Sequence, residues 1–205
     1  MAEKGMTLEE RMTPSERELY ELWRGRIGET WVPGSVQETL YNKGWVNFSG
    51  FNKEACWTLV TRWAIATEDF NPLWFDEEYA RKSKWGGIIA PPSYLIAIDD
   101  GLEFSSLLVE ELMFTPPTWV PSEPRPWNTH KYPNFVRTVT TGFEFEFFEP
   151  VRPGDIIDTT VKLADVYWKQ GKQQRLLFME DEVTYTNQKG QLVAKGRGGW
   201  VLVFK

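Results

Sequence analysis

Along the chain, apolar residues pass from helical spacing to alternation, which divides it into a largely helical first half and a sheet-forming second half. Leu19, Leu22 and Trp23 recur at helical spacing after Thr13-Pro14-Ser15-Glu16, a capping box with proline at the first helical position. They predict an amphipathic helix that ends at Gly28. Residues 1–12 carry no such pattern and are expected to be disordered. Trp31 to Phe51 alternates loosely among Gly, Asn and Ser, as a strand and loop would, and leads to Asn52 as a helix N-cap. From Lys53, apolar Cys56, Leu59, Val60 and Trp63 predict a helix to about Thr67, with Cys56 as a small core residue on its buried stripe. Ser93 to about Leu108, with Tyr94, Leu95, Ile98, Leu102, Leu107 and Leu108, is too apolar all round for a surface helix and predicts a buried one.

Phe143-Glu144-Phe145-Glu146-Phe147 then alternates strictly, which predicts a half-buried strand with its phenylalanines inward. Turns at Pro150 to Asp155, Lys169 to Lys172 and Asn187 to Gly190 separate further strands over Ile156 to Tyr167, Arg175 to Tyr185 and Leu192 to Phe204. A buried helix followed by an antiparallel meander predicts an α+β domain, one sheet wrapped round one helix, with the N-terminal helix as an addition. Residues 115–134 hold six of the 13 prolines and cannot be helix or central strand. So long a loop serves as a lid or a binding surface, and it carries the only histidine, His130.

At 205 residues the chain has room for one substantial core, so 13–205 is expected to be a single domain. A net charge of -6 without a dense Lys/Arg block gives no nucleic-acid footprint. Cys56 alone excludes an internal disulfide and fits a reducing compartment. The first residues, MAEKGMTLEERM, are charged where a signal peptide needs an apolar core, and no run approaches the roughly 20 apolar residues of a span. A cytoplasmic protein without membrane insertion is therefore expected. Aromatic residues make up 15% of the chain, with 11 Trp, more large rings than a core of this size readily buries, so some are expected at a pocket or a subunit interface.

The stretch with the most chemical content is Glu68 to Tyr94. Asp69-Phe70-Asn71-Pro72-Leu73 reads as a helix end and a fixed turn, Asp76-Glu77-Glu78 opens a short helix, and Gly86-Gly87 leads through Ile88-Ile89-Ala90 and two prolines into the buried helix. This run resembles the signature of the MaoC-like hot-dog family of (R)-specific 2-enoyl-CoA hydratases and 3-hydroxyacyl-thioester dehydratases, whose motif is close to G-D-x-N-P-x-H-x-D. Asp69, Asn71, Pro72 and Asp76 match, while Trp74 stands at the catalytic histidine. With Ala90-Pro91-Pro92 at its end, it looks most like the FAS1-like, or MaoC N-terminal, dehydratase domain.

The resemblance implies a hot-dog fold, an acyl-thioester substrate on CoA or an acyl carrier protein, and no further cofactor or metal. In catalytic relatives the Asp and His hold one water, and a backbone N–H at the start of the hot-dog helix stabilises the enolate-like oxygen. By that mapping Asp69 and Asn71 are the remnants of the catalytic site, and Trp74, Trp85, Gly86, Gly87, Ile89, Ala90 and Tyr94 line the pocket. Indole only donates a hydrogen bond, and the counterpart of the oxyanion donor is Pro91 or Pro92, whose nitrogen carries no hydrogen. The functional expectation is a degenerate, non-catalytic partner in a two-chain hydratase, with a second hot-dog chain or a homodimer completing the tunnel. The alternatives are an autonomous hydratase using Asp69 with His130 as substitute base, and a thioester-binding protein without lyase chemistry. A further expectation concerns Lys195-Gly196-Arg197-Gly198-Gly199: its glycines mark either a bulge or a close approach to a CoA phosphate.

Overall fold

The computed structural model describes residues 7–31, 54–98 and 132–205. Its frame is an antiparallel sheet of four long strands, β2 (Phe135–Phe147), β3 (Ile157–Gln170), β4 (Arg175–Asn187) and β5 (Leu192–Phe204), with two-residue β1 (Thr30–Trp31) at one edge, in the order β1-β3-β4-β5-β2. Two strand bounds differ from expectation. β2 begins at Phe135 rather than Phe143, and the β3–β4 hairpin closes through Gly171 N–H to Gln174 O, two residues later than Lys169 to Lys172 suggested.

Alternation is interrupted once in β3. Ile157, Val161 and Leu163 face the core at odd positions, then a register shift between Leu163 and Asp165 moves the buried set to Val166. The shift keeps Val166 opposite buried Met179, as Val161 is opposite Val183, so one face stays apolar through the bend. The Asp165 carboxylate accepts from Val166 N–H at the bulge.

β2 and β5 fit by alternation of a different kind. Phe143 lies opposite Gly198 and Phe145 opposite Gly196, while Glu144 faces Arg197 and Glu146 faces Lys195. Rings thus lie over residues without side chains, and acids meet bases on the other face. A Cβ on Gly198 would meet the Phe143 ring at 2.1 Å, and one on Gly199 the Met179 carbonyl oxygen at 2.0 Å. The glycines admit close packing, and the register shift beside them lies in β2, between Thr140 and Phe143. Phe143 and Phe145 are half-buried, but Phe147 is exposed, contrary to the inward expectation.

Helix α1 (Pro14–Arg24) forms on the predicted capping box, with Thr13 Oγ1 accepting from Glu16 N–H at 3.2 Å and Glu16 Oε2 from Thr13 N–H at 2.9 Å. Leu19 and Trp23 pack with Leu163, Val166, Leu177, Met179, Leu202 and Phe204, whereas Leu22, expected on the stripe, is 42% exposed. The helix ends at Gly25, and Gly28, with φ +92°, instead turns the chain onto β3 through Gly28 N–H to Leu163 O. Within 1–12, Glu9–Arg11 forms a 3₁₀ turn, a correction to the expected disorder.

Helix α2 (Trp57–Ala66) starts four residues later than expected, with Cys56 as a half-buried N-cap rather than a core residue. Its buried face is Val60 and Ala64, and Leu59 is exposed. α3 (Glu77–Lys82) and α4 (Leu95–Ile98) follow. The rest of the expected buried helix, residues 99–108, the expected loop and N-cap over 32–52, and residues 115–131 of the proline-rich loop, with His130, lie outside the described residues. A second apolar cluster joins Val60, Ala90, Tyr94, Leu95, Ile98, Val161, Val183, Tyr185 and Ala194, so the start of the buried helix does pack on the sheet.

Candidate functional site

The site is built from the end of α2 to the start of α4, and local hydrogen bonds fix most of its turns. Glu68 sits at φ +55°, with Glu68 N–H on Ile65 O at 3.1 Å and Asp69 N–H on Ala64 O at 2.9 Å. This is the paired-bond helix terminus that favours glycine, held here by a glutamate at a conformational cost of about 1 kcal/mol. Asp69 Oδ1 then accepts from Asn71 N–H at 3.4 Å, and Asn71 Oδ1 from Leu73 N–H at 3.0 Å, capping a 3₁₀ turn over Pro72–Trp74. Asp76 caps α3 by accepting from Tyr79 N–H at 3.0 Å. Asp69 is half-buried and Asn71 exposed, and their side chains bond the turn's own backbone.

Trp74 is the buried member, 5% exposed, in a small cluster with Ala64 and Ile89 against which Leu73, Phe75 and Trp85 pack. Its indole N–H is buried without a hydrogen-bond partner among the described residues. Three expected pocket residues, Trp74, Trp85 and Ile89, are therefore brought together, while Ala90 and Tyr94 belong to the adjoining cluster on the sheet. Gly86, with φ +68°, is exposed and Gly87 half-buried, at the turn that leads into Ile88 and Ile89.

Ala90 N–H donates to Val151 O at 2.8 Å, which holds the incoming segment beside the sheet just before the prolines. Pro91 precedes and Pro92 opens the 3₁₀ turn Pro92–Tyr94, so the first backbone N–H at this helix start belongs to Ser93. Ser93 Oγ accepts from Trp63 Nε1 at 3.1 Å, and Tyr94 N–H bonds Pro91 O. The Tyr94 phenol is pushed up to about 12, by burial first and by the neighbouring Cys56 thiol second, so at neutral pH it is a donor and not a base.

Sequence reasoning missed Trp63, Ser93 and Arg152. Arg152 donates from Nη2 to the Trp85 carbonyl at 2.8 Å. The contact spans 67 residues, and only the P-V-R-P-G-D turn, read as a turn alone, marked its position. Among the described residues no group of His, Cys, Asp and Glu is arranged to hold a metal, and no helix is long and apolar enough to cross a membrane.

A family model described as FAS1-like, dehydratase domain region, matches residues 46–196, more than half of the chain. No functionally curated protein matches it in sequence. Among solved structures it is similar to a MaoC-like dehydratase from Rhodospirillum rubrum (18% identity, TM-score 0.51, covering 87% of this chain and 93% of that one). It is likewise similar to a chain of the ChsH1-ChsH2 complex from Mycobacterium tuberculosis (15% identity, TM-score 0.55, 90% and 89%). A third is a chain of the HadBC (3R-hydroxyacyl-ACP dehydratase) complex from the same organism (16%, TM-score 0.53, 87% and 96%). At these identities the likeness shows the fold, the hot-dog fold expected from the sequence.

Proposed function

Because the chain belongs to the FAS1-like dehydratase domain family, and so to the hot-dog dehydratases and hydratases, we propose that it is the non-catalytic subunit of an (R)-specific 2-enoyl-thioester hydratase. The observation that carries this reading is Trp74, at the motif's histidine position and buried in an apolar cluster. An indole there accepts no proton, and the prolines at 91 and 92 offer no N–H to a developing enolate. General base and oxyanion donor are each worth about 10² or more in rate, so a site lacking both contributes little turnover. What this chain contributes instead is half of an acyl tunnel, lined by Trp74, Trp85, Gly86, Gly87, Ile89, Ala90 and Tyr94, across which a second hot-dog chain presents the Asp-His pair.

Two of the similar structures are complexes of named chains, which supports a paired arrangement; a homodimer is the other arrangement that would complete the tunnel. The unit that pairs is residues 13–205 as a single hot-dog domain, working in the cytoplasm on CoA or acyl-carrier thioesters without a further cofactor. The test is loss of enoyl-thioester absorbance when the chain, alone and then with the hot-dog chain encoded beside it, is given a series of 2-enoyl-CoAs. Silence alone and turnover with the partner support the proposal. Turnover by the isolated chain, abolished by Asp69→Ala or by substitution of His130, would replace it with an autonomous hydratase, and silence in both conditions with acyl-CoA binding retained leaves a thioester-binding protein.

A further inference from the structure

We propose that Arg152, with Lys84 and the Gly86-Gly87 turn, forms an anion site for the phosphate of the thioester carrier, an inference that rests on the acyl-thioester reading above. Arg152 is half-buried, yet among the described residues its guanidinium has no carboxylate partner. Asp155, three residues on, is already engaged: Oδ2 accepts from the Arg152 main-chain N–H at 2.7 Å and Oδ1 from Gln188 Nε2 at 3.2 Å. The guanidinium makes one hydrogen bond, from Nη2 to Trp85 O, and leaves Nη1 beside Gly87, 3.8 Å from where a Cβ would stand. A partly desolvated guanidinium with one neutral acceptor is an unmet demand for an anion.

The surroundings supply further donors. Lys84 Nζ lies 4.4 Å from the Trp85 ring centroid, so two cations flank one tryptophan, one at its carbonyl and one at its ring. The backbone N–H groups of Gly87 and Ile88 have no hydrogen-bond partner among the described residues. A Cβ on Gly86 would meet nothing within 4 Å, and Gly87 has none, so a ligand can approach the backbone at the turn. Amides without a partner at a glycine turn beside an arginine suit a phosphate. In a chain of net charge -6, a polyanionic carrier needs such a local exception to the prevailing sign. The position fits too, because Ile88 and Ile89 run from this turn to Ala90, which is bonded to Val151, the residue before Arg152.

The experiment is calorimetric titration of the full chain at low salt with CoA, dephospho-CoA, 4′-phosphopantetheine and pantetheine. Arg152→Met and Lys84→Ala should each weaken CoA binding about tenfold, the worth of one charge-assisted hydrogen bond, while Arg152→Lys keeps most of it and pantetheine binding stays unchanged in all three. If dephospho-CoA and 4′-phosphopantetheine, which both lack the 3′-phosphate, lose affinity together, the site takes that 3′-phosphate. If 4′-phosphopantetheine binds as CoA does, it takes the phosphate that an acyl carrier protein shares. Should Arg152→Met fail to fold, Lys84→Ala and Arg152→Lys carry the same comparison. The proposal is overturned if the wild-type chain binds none of the phosphate-bearing probes, or if the variants weaken pantetheine as much as CoA. Phosphate-dependent binding without enoyl-CoA turnover in any complex would sustain this site and remove the hydratase reading instead.

Discussion

The ion pair between Glu16 and Arg175 offers the sharpest stability test, because it ties α1 to the sheet across 159 residues. Glu16 is 1% exposed and Arg175 7%, and the pair is bidentate, Nη1 to Oε2 at 2.6 Å and Nη2 to Oε1 at 2.9 Å. Arg175 also donates to the carbonyls of Lys205 and Arg11, and Glu16 accepts from Thr13 N–H in the capping box. Arg175→Met leaves a buried carboxylate on one backbone amide and a distant Asn134 amide, and strips two carbonyls of a donor. Removing one partner of such a pair costs about 3–5 kcal/mol. Glu16→Gln leaves the guanidinium its carbonyl acceptors and should cost about 1.5–3 kcal/mol, the value of a hydrogen bond to a charged group. The double variant should fall short of the sum by about 1 kcal/mol or more, since its second change removes a group already orphaned by the first. Urea unfolding followed by tryptophan fluorescence measures all three, with hydrogen exchange over Pro14–Arg24 reporting whether α1 is released first. A loss below about 1 kcal/mol for Arg175→Met, or additive single changes, refutes the reasoning, because a fully desolvated pair cannot be broken so cheaply.

Tyr94 and Tyr167 are both pushed up to about 12, each by burial first, and Tyr167 further by its hydrogen bond to Glu180. Their unfolded phenols ionise near pH ~10, so the folded chain binds more protons between pH ~10 and 12, and the stability they contribute, complete below that window, is lost as pH rises through it. Phenolate absorbance should show these two of the seven tyrosines ionising late, and uniform titration near pH 10 with the fold intact would contradict it. Gly198→Ala puts a Cβ 2.1 Å from the Phe143 ring and should cost about 1–3 kcal/mol in urea unfolding, with partial relief in a Phe143→Leu background; equal losses in both backgrounds would show that the ring is not the obstacle. Trp74→His should confer no hydratase activity on the isolated chain, because the helix start still presents proline nitrogens, and measurable enoyl-CoA turnover by this variant would refute that account. Asp76→Ala and Asn71→Ala should each lower stability by about 0.5–2 kcal/mol as lost caps, read from the shift in urea midpoint at constant slope.

Strands and caps were legible because their causes are local. Strict alternation over Phe143 to Phe147, turn residues at Pro150 to Asp155, and Thr13 with Glu16 each act within a few residues, and the structure uses them nearly where they were expected. Contacts between distant residues were not legible. Phe143-x-Phe145 and Gly196-x-Gly198 were both visible as patterns, but nothing short of the β2–β5 register says that one fills the space the other leaves. Glu16 was visible as a cap, and its second role needs Arg175, far along the chain. Arg152 and Ser93 were silent for the same reason, with partners 67 and 30 residues away. The buried face was misread at single apolar residues: Leu22 and Leu59 fit the helical period but project outside a face that Leu19 with Trp23, and Val60 with Ala64, already fill.

The motif residues that remain are those with backbone work to do. Asn71 and Asp76 cap successive turns, Asp69 closes the turn between them, and Pro72 sets the 3₁₀ entry. The positions that depart from the motif cap nothing: Trp74 packs on Ala64 and Ile89, and Pro91 and Pro92 lead into the 3₁₀ turn at the helix start. An imidazole at position 74 would place a group that titrates near neutral pH among apolar side chains, a burial tolerated only where proton transfer requires it. Trp74 replaces that demand with packing, at the price of one unpartnered N–H. Glu68 holds a left-handed φ that glycine would hold with less strain.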